Sequence, residues 1–103
     1  MAASLEEKFT AELLAVCNRA QESTGVRDVR FLREIEQRGG VQALAGRLRR
    51  GQVSPWFDAL AEAGRAGESP EALAVQSRFG SLFTDAEVNV CFDALCGAGW
   101  YTT

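Results

Sequence analysis

Thr84 and Glu87 stand three residues apart near the head of the run SLFTDAEVNVCFDALCGAGWY, residues 81–101. At that spacing a Thr hydroxyl and a Glu carboxylate satisfy the orphan N–H groups of a helix start reciprocally. Phe83, just before the cap, is placed to pack on Val88 as a hydrophobic staple. Val88, Cys91, Phe92 and Leu95 then recur at i, i+3, i+4 and i+7, the spacing of one apolar helix face. Gly97 and Gly99 supply the stop. The rest of the chain reads as segments that pack against this helix.

Ser4 and Glu7 repeat the capping-box spacing. They open a helix to about Glu22 whose stripe is Phe9, Leu13, Val16, Cys17 and Ala20, with Leu5 and Leu14 at its margins. Ser23, Thr24 and Gly25 interrupt it. A second helix, near Arg27 to Arg38, turns Phe31, Leu32 and Ile35 inward and ends at Gly39–Gly40. A third, Val41 to Arg50, buries Val41, Leu44, Ala45 and Leu48, with Arg47, Arg49 and Arg50 at the negative end of its dipole. Ser54–Pro55 and Ser69–Pro70 each set a capping hydroxyl before a proline tolerated at the first helical position. The first predicts a helix to about Ala63 with Phe57, Leu60 and Ala61 inward. The second predicts a short helix near Glu71 to Gln76, anchored by Leu73. No strand-like alternation persists. The expected fold is an all-α, compact bundle of five to six short helices, a single domain over residues 1–103.

Histidine is absent, which removes the commonest general base and the commonest metal ligand. Cys17, Cys91 and Cys96 lack the spacing of a zinc cluster. Lying in apolar stripes or beside them, they read as structural thiols rather than nucleophiles. Gly97-Ala98-Gly99 follows no strand and is no phosphate loop. Lys8 is the only lysine, so a Ser–Lys pair is remote. The chain is read as a non-enzyme with no cofactor and no metal. An odd cysteine count, the acidic start MAASLEEKF and the lack of any apolar run near ~20 residues predict a reduced, cytoplasmic protein outside the membrane.

The net charge of −3 is unevenly spread. Residues 27–50 carry seven Arg against Asp28, Glu34 and Glu36, while residues 51–103 are strongly acidic. Two opposed surfaces follow. Arg27, Arg30, Arg47, Arg49 and Arg50 would serve a DNA- or RNA-binding regulator, although an acidic chain with a pI near 4.9 lacks the usual basic footprint. Alternatively, Glu62, Glu68, Glu71, Asp85, Glu87 and Asp93 would present carboxylates to a basic partner, such as a nucleic-acid-binding protein. Trp56, Trp100 and Tyr101 would act as anchors, with core packing explaining Trp56 equally well. A homodimerisation module is the third reading.

The run from Phe31 to Leu95 resembles a family of small helical bacterial proteins of uncharacterised role. The shared features are Phe31–Leu32, Gly39–Gly40, Ser54 to Phe57, Gly64–Arg65, Glu71 to Leu73, and Leu82 to Thr84 with Glu87. The chain departs from that pattern at Ala61, where the family carries Trp, and at Ala66-Gly67-Glu68-Ser69, where it is bulkier. The resemblance implies a setting near restriction and mobile-element genes, in bacteria–phage conflict. The leading expectation is a protein-binding module of that conflict, for instance a small inhibitor docking on a nucleic-acid-handling complex such as a CRISPR effector.

Overall fold

A computed structural model describes residues 4–99 as six α-helices and two 3-10 turns, with no strand among them. Their order is α1 (Leu5–Thr24), α2 (Val29–Arg38), α3 (Gly40–Arg49), α4 (Phe57–Glu62), a turn at Ala66–Glu68, α5 (Pro70–Ala74), a turn at Ser77–Leu82, and α6 (Asp85–Gly97). The expected all-α bundle is therefore the fold.

Both capping boxes form. Ser4 accepts the Glu7 N–H at 3.1 Å, and Thr84 accepts the Glu87 N–H at 3.2 Å while its own N–H donates to Glu87 Oε1 at 2.8 Å. The α1 stripe is buried as its periodicity requires: Phe9, Leu13, Val16, Cys17 and Ala20. Phe9 sits at the centre of an edge-on aromatic group, with ring centroids 5.1 Å from Phe79 and 5.2 Å from Phe83. Such offset pairs contribute beyond their buried area.

Packing radiates from α1 and α3. The α3 helix touches α1, α2 and α6, and α5 joins α1 to α6. The close approach of α1 to α3 depends on Gly40, where an added Cβ would lie 3.0 Å from both Leu13 Cδ2 and Thr10 Cα. Gly39, at φ 85°, makes the sharp turn before it. A smaller cluster of Phe57, Ala66, Ala72 and Leu95, bordered by Ala61, seals α4 against the end of α6.

Two local expectations are corrected. The Ser54 hydroxyl caps no helix; it donates to Glu71 Oε1 at 2.8 Å, and α4 begins only at Phe57. Ser69, in the same Ser–Pro context, does cap, accepting the Ala72 N–H at 3.2 Å. Phe92, assigned to the inner face of α6, is 39% exposed. Too many apolar residues crowd this helix for one face to hold them, and Cys91 and Leu95 take the inner positions.

Candidate functional site

The expected partner-binding residues separate into three groups. Trp56 and Glu71 are fully buried and cannot meet a partner, which corrects the assignment of Glu71 and decides for the core reading of Trp56 over the anchor one. Trp56 donates its indole N–H to the Val26 carbonyl at 2.9 Å and packs edge-on against Phe31, centroids 5.7 Å apart. Glu71 accepts both the N–H and the hydroxyl of Ser54. Burial pushes its carboxyl above the usual carboxylate value, against the lowering effect of those hydrogen bonds and of the Arg47 charge. Its helix is five residues long, with every position buried, so it has no outward face for an acid to occupy.

Glu62, Glu68 and Asp93 are exposed. Glu68 is gripped by Arg65 through two bonds, at 2.6 and 2.8 Å, which hold its carboxyl below the usual range. The small apolar cluster that includes Ala66 and Leu95 brings the segment bearing Glu62 and Glu68 beside the half of α6 that bears Asp93. Trp100 and Tyr101 lie outside the described residues.

The sequence offers Asp85 and Asp93 as surface carboxylates but gives no sign that Phe92 joins them on the outer face of α6. Asp85, Asn89, Phe92, Asp93 and Cys96 are all exposed, and their spacing sets them on one side of the helix. After Arg78 the chain holds no Lys or Arg. The third carboxylate of the helix, Glu87, is turned inward, which corrects its placement among the surface carboxylates. Glu87, 4% exposed, meets Arg49 of α3 at 2.9 Å. Burial opposes its ionisation, but the Thr84 N–H, the Arg49 guanidinium and the Thr84 hydroxyl outweigh burial and lower its carboxyl. The excess of apolar residues along 88–95 was the available signal that one of them would face water.

The arginine group is divided as well. Arg27, Arg30 and Arg50 are exposed. Arg47 is half-buried, donates its Nε–H to the Val53 carbonyl at 2.7 Å, and lies 5.9 Å from the centre of the Phe31 ring. Arg49 is held by Glu87 and reaches Gln42 at 3.4 Å. Two of the five are thus engaged within the molecule.

Cys17 and Cys91 are buried, and burial, with the Glu71 charge adding to it, pushes both thiols up to about 12. They stay protonated at neutral pH, without nucleophilic character. Cys96 is exposed. Among the described residues no group of three or more Cys, Asp or Glu side chains is arranged to hold a metal ion, and no helix is long and apolar enough to cross a membrane. The class that fold and surface define is an all-α bundle with an acidic, ring-bearing helix face. No protein-family model, curated protein or solved structure matches the chain.

Proposed function

We propose that this protein is a non-enzymatic binding module that docks on a basic protein partner through the outer face of α6. One observation carries the reading. Phe92 stands 39% exposed beside Asp93, on the same helix side as Asp85, in a part of the chain without a basic residue. An aromatic ring with carboxylates around it suits a partner that offers an apolar pocket rimmed by Lys or Arg. The protonated, buried thiols and the enclosed Glu71 support a non-catalytic role. The resemblance of residues 31–95 supports a setting in bacteria–phage conflict, with a small inhibitor of a nucleic-acid-handling complex as its concrete form.

The test is affinity capture from a bacterial host lysate, then calorimetric titration of the recovered partner against the wild type, Phe92→Ala and Asp85→Lys/Asp93→Lys. A basic partner bound at fixed stoichiometry, and lost with either variant, is the expected result. Capture that neither variant disturbs overturns the reading. So does a salt-sensitive gel shift with DNA or RNA that depends on the exposed Arg27, Arg30 and Arg50.

A further inference from the structure

A second surface, sharing no residue with the outer face of α6, lies between the first turns of α1 and the end of α2. It is a groove of about 680 Å³. Its floor is aliphatic, made by Ala11, Leu14 and Ile35. Ile35 is 2% exposed, and Leu14 packs on the main core. Its rim carries Glu6 and Glu7 from α1 and Glu36 from α2, and among the described residues no Lys or Arg lines it.

Hydrogen bonds tie the α1 side of the groove to its surroundings. Thr10 donates its hydroxyl to the Glu6 carbonyl at 3.0 Å and accepts the Gly40 N–H at 2.9 Å, tying α1 to the start of α3 where α2 ends. Glu7 is oriented by Ser4, whose hydroxyl donates to its carboxylate at 3.2 Å. The backbone on that side of the groove needs little reordering to meet a ligand.

We infer that this groove binds a basic amphipathic segment of a partner protein, one that presents an aliphatic side chain flanked by Lys or Arg. The aliphatic group covers Leu14 and Ala11, which keep apolar surface open above the buried Ile35. The stems of the basic side chains lie along the apolar floor while their cations meet Glu6 and Glu36. The same rim disfavours the competing occupants, because nucleic acid and anionic lipid surfaces both bring negative charge toward three carboxylates. The inference does not depend on α6 being a docking face.

The experiment is a nitrogen-15 NMR titration of the full chain. Its probe is a short, amidated helical peptide of leucine and lysine, and the control is the same peptide with glutamate for lysine. With the lysine peptide, shifts are expected at the amides of Ala11, Leu14, Glu36 and Gly39, and they are expected to be absent with the glutamate peptide. Glu6→Lys/Glu36→Lys is expected to weaken binding about tenfold, as two exposed attractive pairs become repulsive. Ala11→Trp, which fills the groove without altering charge, is expected to weaken it too. Asp85→Lys/Asp93→Lys is expected to leave the groove shifts unchanged. No shift at the groove, or groove shifts that survive both groove variants, overturns the inference. Shifts confined to α6 overturn it as well, while leaving the α6 reading standing.

Discussion

Glu71 accepts the Ser54 N–H at 2.5 Å and the Ser54 hydroxyl at 2.8 Å, so one buried side chain satisfies both donors of a residue seventeen positions away. The pair clamps the α3–α4 connector to α5 inside the apolar interior. A carboxylate is an expensive way to make that clamp, since burial opposes its charge. Its value lies in the two acceptors it offers.

Glu71→Ala and Glu71→Gln should therefore differ sharply. Alanine leaves the N–H and hydroxyl of Ser54 without an acceptor in a site with 2% exposure, and opens a void. We expect a loss of about 3 kcal/mol in urea unfolding. Glutamine keeps an acceptor for the N–H and offers its amide to the hydroxyl oxygen while removing a buried charge. We expect stability within about 1 kcal/mol of wild type, or above it, at neutral pH. Equal losses from the two variants would show that Ser54 is not what the side chain is there to satisfy.

Glu71 and Glu87 should also give pH dependences of opposite sign. Glu71 has its folded value raised above the ordinary 4.5. Its contribution is complete below that value and is lost as pH rises through the folded one. Glu87 is lowered from the same 4.5, so its contribution is present above it and disappears as pH falls through the folded value. Stability measured against pH should show Glu71→Gln gaining on wild type as pH rises from about 4.5, whereas Glu87→Gln gains on wild type as pH falls below it.

Thiol labelling should distinguish the cysteines. In the native protein at neutral pH, iodoacetamide should modify Cys96 and leave Cys17 and Cys91 intact, as both are buried with thiols pushed up to about 12. All three should react in denaturant. Mass spectrometry of the intact chain reads the count, and rapid native labelling of Cys17 or Cys91 would contradict their burial in the main core.

Two glycines of α3 should respond oppositely to the same change. Gly40→Ala forces a methyl to 3.0 Å from Leu13 Cδ2 and from the Thr10 backbone. A loss of about 1–3 kcal/mol is expected. Gly46→Ala meets only Arg38 Nη1, at 4.0 Å. A gain of about 0.5–1 kcal/mol is expected there from helix propensity and a less flexible unfolded chain. Thermal melts of the two variants check the pair.

Whatever rested on neighbours along the chain was legible beforehand. The Ser4 and Thr84 caps, the α1 stripe and the all-helical class follow from spacing over a few residues. Ser54 and Ser69 show where that legibility ends. Both precede proline, but only Ser69 keeps its hydroxyl for a helix start, because Ser54 is claimed by a carboxylate from another element. No local pattern announces such a claim. Glu71 reads as a surface carboxylate, and Trp56 reads equally as a surface anchor or a core residue. Each is interior because one distant group, Ser54 or the Val26 carbonyl, satisfies it there. The outer face of α6 was concealed by the opposite fault, since periodicity counted Phe92 among residues that the interior had no room for.

Connectors between helices ordinarily accept insertions with little penalty. The one joining α1 to α2 is an exception, because the Val26 carbonyl is the acceptor for an indole that arrives from thirty residues downstream. Lengthening it by even one residue moves that oxygen away from Trp56 and strands a donor in the interior. This short stretch, exposed and open to water on one side, is as intolerant of added length as the helices it connects.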